Sequence, residues 1–244
     1  MSGHSKWATI KHQKGIKDKA RGQIFSKFSK AISVAVAEGG GEENPNKNFK
    51  LRLAIEKAKE VNMPKSNIER AIEKGMGGKG KERLISVRFE GYGPGGVGII
   101  IDAVTDNRQR TIQEIKSIFE KGGGSLATPG AVAYNFVSRG QILVKKKEKE
   151  EEQILALMDI DGVEDVDKEE GVIKVSTGGK ELALVREVIL SQNFEIISSS
   201  LLMVPQSLFS VENSERMQKI IDFLEQIENH QDVQDVFTNL DTSS

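Results

Sequence analysis

The chain has 244 residues, 37% of them hydrophobic and 29% charged, with 35 Lys and Arg against 36 Asp and Glu. That balance describes a folded, soluble protein of about one to three domains, and the absence of Cys excludes disulfides, thiol nucleophiles and thiolate metal sites. No apolar run approaches the roughly 20 residues of a membrane span, and the basic start lacks the apolar segment of a secretion signal, so a cytoplasmic protein with no membrane partner is expected. From Ile24, apolar residues recur at three- and four-residue steps through Phe25, Phe28, Ala31, Ile32, Ala35 and Val36. This is the stripe of an amphipathic helix, stopped by the glycines at 39–41. A second helix is predicted over about 48–61, broken by Asn62, Met63 and Pro64. A third begins near Ser66, where Ser66 and Glu69 have capping-box spacing, and ends at Gly75, Gly77 and Gly78.

The period then changes. Leu84, Val87 and Phe89 lie in one strand-like run, and Val97, Ile99, Ile101, Ala103 and Val104 in another, with GYGPGG (91–96) between them as a hairpin loop. Asp106 or Asn107 caps a helix whose buried face is Ile112, Ile115, Ile118 and Phe119, and the glycines at 122–124 end it. Residues 131–137 read as a third strand. Residues 141–204 run strand, helix, strand, strand, helix, strand, the split βαβ order of a ferredoxin-like sandwich. A helix at about 213–229 and a strand at 233–237 remain, and they supply what the middle β-β-α-β unit lacks. The expected fold is α+β: a basic helical amino-terminal domain (1–80) and two ferredoxin-like α/β domains, the third (139–205) inserted into a discontinuous second (81–138 with 206–244). A polar hinge is expected at about 75–82.

The near-neutral total hides a separation of charge. Residues 1–75 hold 16 Lys and Arg against 8 Asp and Glu, a net of +8, and the rest of the chain is −9. Such a split concerns partners more than fold, and it points to nucleic acid, either DNA or ribosomal and transfer RNA, with the ribosome among the candidate partners. The candidate contacts in the tail are His4, Lys6, Trp7, Lys11, His12, Lys14, Lys17, Lys19 and Arg21. Cations meet phosphate, and an indole can stack on an unpaired base. Trp7 reads equally well as an anchor of the tail on its own helical domain. Arg108 and Arg110 form a second candidate, because they occupy the first turn of a helix, where the dipole disfavours cations. With the free amides of that turn they could bind phosphate; surface pairing with nearby acids is the competing reading.

Little else suggests chemistry. The His residues, His4, His12 and His230, have no evident companions for a metal site. No GxSxG, P-loop or HExxH motif occurs, and GYGPGG sits between two strands, where a dinucleotide fingerprint needs a strand followed by a helix. A non-enzyme without cofactor, metal or small-molecule substrate is expected.

The segments GHSKWATIKH (3–12), LRLAIEKAKEVNMPKSNIERAIEKG (51–75), EGYGPGGVGIIIDAVTDNRQRT (90–111), GGGSLATPGAVAYNF (122–136) and VQDVFTNLD (233–241) together resemble the YebC/PmpR family. That family is related to the mitochondrial translational activator of cytochrome c oxidase. The resemblance covers essentially the whole chain. It implies three domains, one helical and two α/β, and a cytoplasmic regulator. Members are described as DNA-binding transcriptional regulators, and others as ribosome-associated translation factors that relieve stalling on difficult sequences such as proline runs. The sequence NPNKNFKLR departs from the family, carrying Asn48-Phe49 where members often have Asn-Pro, which bears on where the second helix starts. The family motif begins at the first residues, so no organelle leader is expected.

Overall fold

The structure, a computed structural model, describes residues 18–77 and 84–242. In chain order its elements are α1 (Asp18–Glu38), α2 (Phe49–Glu60), α3 (Lys65–Gly75), β1 (Ile85–Tyr92), β2 (Gly98–Thr105), α4 (Arg108–Lys121), β3 (Ser125–Ala127), β4 (Phe136–Lys145), α5 (Glu150–Met158), β5 (Val163–Glu169), β6 (Val172–Gly178), α6 (Leu182–Ser191), β7 (Ile196–Pro205), α7 (Ser214–Glu228) and β8 (Val233–Thr238). This is an α+β fold. Residues 78–83, most of the expected hinge, lie outside the described residues.

The three amino-terminal helices share a core of Ile32, Ala35, Val36, Leu51, Ala58, Met63, Ile68 and Ala71. Asn48 fixes the start of α2. Its Oδ1 accepts the Leu51 N–H at 3.0 Å, and its Nδ2 donates to the Ala35 carbonyl at 2.9 Å and the Glu42 carbonyl at 3.2 Å. The Asn48-Phe49 pair, which departs from the family pattern at its second position, thus keeps an N-cap at its first. Helix α3 starts two residues earlier than a capping box at Ser66 and Glu69 would place it. Pro64 precedes it with no side-chain cap, and the Pro64 carbonyl accepts the N–H groups of Asn67 and Ile68. Ser66 therefore lies inside the first turn and caps nothing.

The first sheet has the order β3-β1-β2-β8, with antiparallel neighbours throughout. Strand β8 pairs directly with β2, so the carboxy-terminal segment completes this sheet. Residues 131–137 are not its third strand. That strand is β3, paired with Glu90, Gly91 and Tyr92 of β1. The physical reason is Glu90, whose carboxylate accepts the N–H groups of Gly130, Val132 and Ala133 at 2.7–2.8 Å. Amides held by a carboxylate cannot serve a strand ladder, and the segment closes into a single 3-10 turn at Ala133–Asn135.

On one face of this sheet, Phe89, Ile99, Ile101, Ala103 and Val236 pack against Ile115 and Phe119 of α4 and Ile220, Phe223, Leu224 and Ile227 of α7. The Phe119 and Phe223 rings meet edge to face at 5.2 Å. Gly91 and Gly122 make room for them, since a Cβ there would lie 2.4 Å from Phe119 and 2.2 Å from Phe223. On the opposite face α1 lies against β2 and β8. Strand β2 is accordingly buried on both sides, as its continuous apolar run requires.

Contacts divide the chain into two compact units, Met1–Phe136 with Val204–Ser244, and Val137–Met203. The second unit has the sheet order β5-β6-β4-β7, that of a ferredoxin-like sandwich. Ile142, Val144, Ile173 and Val175 of its strands, and Leu157, Leu182, Val185 and Ile189 of its helices, are its buried apolar side chains. Among the described residues, no helix is long and apolar enough to cross a membrane.

Candidate nucleic-acid interface

Helix α1 presents two faces. One enters the helical core; the other carries Lys27 and Lys30 toward the end of α7 and the start of β8. Lys27 donates to the Glu228 carbonyl, at the carboxy-terminal end of α7, where the helix dipole favours a cation. Lys30 donates to the Gln231 carbonyl at 3.4 Å and to Asp232 Oδ1 at 2.6 Å. From α2, Lys57 reaches both carboxylate oxygens of Asp235 at 3.1 Å, and that carboxylate holds the lysine above its usual pKa. Part of the basic surplus is therefore matched inside the first unit. Arg21, Lys47, Lys59, Lys65, Arg70 and Lys74 of the same helical segment are exposed.

Asp232 is the centre of this junction. It is fully buried, with Lys30 on one oxygen and Arg110 Nη2 on the other at 2.9 Å. Thr111 Oγ1 lies 2.7 Å from the same oxygen as Arg110. Burial pushes the carboxyl upward, but the bonds from Lys30, Thr111 and Arg110 outweigh it and bring the pKa down to about 2. Arg110 is further tied to Asp106 at 2.9 Å. Its pairing with Asp232, ahead of the opposing burial, raises the guanidinium pKa.

The candidate residues thus fall into separate groups. His4, Lys6, Trp7, Lys11, His12, Lys14 and Lys17 lie outside the described residues, Lys19 is in the first turn of α1, and Arg21 is exposed in the turn that follows. Arg108 and Arg110 do not converge. Arg108 is exposed, whereas Arg110 turns onto Asp232, and the Arg110 amide is taken by the Asn107 cap at 3.0 Å. Sequence reasoning missed Lys30, Thr111 and Asp232, since nothing in their local pattern shows that residues far apart in the chain share one site.

Glu114, His230 and Asp232 place one ligand atom each within 4.8 Å of one another. His230 Nδ1 accepts the Asp232 N–H at 3.2 Å, and Nε2 is 2.9 Å from Glu114 Oε2. Both ring nitrogens are engaged and Asp232 is already balanced by two cations, so this group does not fit a metal ion. A cleft of about 430 Å³ is lined by Glu38, Lys50, Ser86, Arg88, Asp102 and Gln234 among others. Its charges pair with one another, Lys50 with Glu38 at 2.9 Å and Arg88 with Asp102 at 2.6 Å.

The fold and this junction define a class: a basic three-helix domain seated on a four-stranded α/β sheet, with a second α/β sandwich inserted before the last helix and strand. Residues 5–78 match the family model described as TACO1/YebC protein N-terminal domain, and residues 84–240 match TACO1/YebC second and third domain. The chain belongs to the TACO1/YebC family. Similar proteins include a "Probable transcriptional regulatory protein" of Natranaerobius thermophilus, 43% identical over 99% of this chain and 96% of that one. Another of the same name, from Syntrophotalea carbinolica, is 44% identical over 100% and 96%. The crystal structure of a conserved hypothetical protein from Aquifex aeolicus is similar with a TM-score of 0.81 and 41% identity, covering 96% of each chain.

Proposed function

We propose that this chain is a nucleic-acid-binding regulator of gene expression, acting on DNA in transcription, and that its binding surface lies within residues 1–75. The observation that carries the reading is the separation of charge, +8 in that segment against −9 in the remainder. Lys27, Lys30 and Lys57 are turned inward, yet six further cations of the described helices are exposed. The tail cations, with Trp7 among them, extend the same basic segment. A surface of this kind gains affinity by releasing counterions from phosphate, independently of sequence. The names of the similar proteins agree with a regulator. The reading involves no chemical step and no cofactor.

The test compares the full chain with a chain lacking residues 1–22, on random duplex DNA across a salt series. Affinity falls in the truncated chain, and the slope of log K against log salt flattens by about 0.7–0.9 for each lost phosphate contact. An unchanged slope would show that the tail is not the contact surface. Co-sedimentation of the full chain with ribosomes, without salt-dependent duplex binding, would move the function from transcription to translation.

A further inference from the structure

Tyr134 is 76% exposed, on the segment between β3 and β4. Its exposure alone is unremarkable, because single apolar side chains are common on surfaces. The loop that carries it is held at three points. Glu90, only 6% exposed, accepts three loop amides, those of Gly130, Val132 and Ala133. The Tyr92 hydroxyl donates to the Ala131 carbonyl at 2.7 Å. Asn135 closes the far end: its Nδ2 donates to the Ser207 carbonyl at 3.1 Å, its Oδ1 accepts the Ser207 N–H at 3.1 Å, and its own carbonyl accepts the Gln206 N–H at 2.7 Å. A buried carboxylate is a costly way to fix a loop. The loop gives the core little beyond Val132, while holding an aromatic ring out in solvent.

We infer that Tyr134 is a stacking platform for an unpaired nucleobase, supplied by single-stranded DNA or by RNA. This rests on the nucleic-acid reading above and adds a contact outside residues 1–75. Two observations favour a base over a protein partner. Residues 128–135 carry no charged side chain of their own, and the carboxylate that holds them, Glu90, is buried with both oxygens taken by loop amides. Protein hot spots sit within a broad packed patch, and here the large apolar side chains that the loop's anchoring segments expose are two, Tyr92, whose hydroxyl is tied to Ala131, and Leu208 beyond the Ser207 anchor. A rigid, presented aromatic face is what base stacking needs, and it tolerates any base sequence.

The experiment uses the full chain and its Tyr134→Ala and Tyr134→Phe variants. The probes are a single-stranded DNA and a single-stranded RNA dodecamer, each with one 2-aminopurine, and a duplex DNA of the same sequence. Tyr134→Ala weakens binding to one or both single strands roughly 5- to 100-fold, relieves 2-aminopurine quenching, and leaves duplex binding and melting temperature unchanged. Tyr134→Phe behaves as the parent, and the strand that responds identifies the source of the base. Equal single-strand affinity in Tyr134→Ala and the parent overturns the inference while the nucleic-acid reading stands. Failure of the parent chain to bind any of the three probes overturns both.

Discussion

Asp232 concentrates more of this molecule's electrostatics than any other side chain described above. Its carboxyl, ordinarily near 3.8, is held at about 2 in the folded chain. A depressed carboxylate pKa contributes stability above the unfolded value and loses it as pH falls through the folded one. Asp232 should therefore contribute about 2 kcal/mol above pH 4, lost between about pH 4 and pH 2, and Asp232→Asn should flatten that limb of an acid-unfolding curve. At neutral pH the same variant leaves Lys30 and Arg110 facing a neutral amide. We expect about 2–4 kcal/mol of destabilisation by urea titration, partly recovered in the double variant with Lys30→Met. A loss below 0.5 kcal/mol would mean that the junction is held by its apolar contacts alone. Glu90 follows the same sign: burial pushes its pKa up, three backbone donors pull it further down, and its hold on the 130–133 loop weakens on acidification. Glu90→Gln, with one fewer strong acceptor oxygen, should lower the melting temperature and speed hydrogen exchange at Gly130, Val132 and Ala133.

At the level of elements, what could be read from the sequence was whatever depends on neighbours in the chain. The Asn107 cap, the GYGPGG hairpin with Gly95 at φ 81° and the stripe of α1 all follow local rules. Two elements escaped because remote partners decide them. The 131–137 segment has strand-like composition, but Glu90, some 40 residues earlier, captures its amides. Ser66 has the spacing of a cap, but the chain enters α3 from Pro64. Likewise, Arg110 breaches the dipole rule, and the carboxylate that offsets the breach, Asp232, is 122 positions away. Two substitutions test the element-level account. Asn107→Ala removes the bond to the Arg110 amide and should cost about 1 kcal/mol. Gly122→Ala puts a methyl group into the Phe223 ring and should cost about 1–3 kcal/mol, visible in denaturant unfolding.

For the whole molecule, the decisive arrangement is the insertion. The family resemblance and the element order both indicated three domains, but composition alone could not show that basic helices and acidic strands would meet in one unit. Lys27, Lys30 and Lys57 do so across about 180 to 200 positions of sequence. Part of the charge asymmetry is thus complementarity within the chain, and only the remainder is available to a polyanion. A chain ending at residue 205 lacks α7 and β8, and so loses Phe223, Leu224 and Val236 from the first core. We expect its 137–203 unit to stay protected in hydrogen exchange while residues 85–127 exchange freely. Full protection of both regions would refute the dependence of the first sheet on β8.

The pairing of Ile99 with Thr238 spans 139 positions, and it sets a timetable for biosynthesis. At about 5–20 residues per second, β2 waits roughly 7–28 s for its outer neighbour. Meanwhile Ile115 and Phe119 of α4 lack the helix that covers them, and GIIIDAVT (98–105), rich in β-branched residues, keeps an open edge. The inserted sandwich, complete at residue 203, can finish first. A nascent chain stalled between these points should associate with holdase chaperones through β2, and crosslinking should fall off once residue 238 has cleared the exit tunnel.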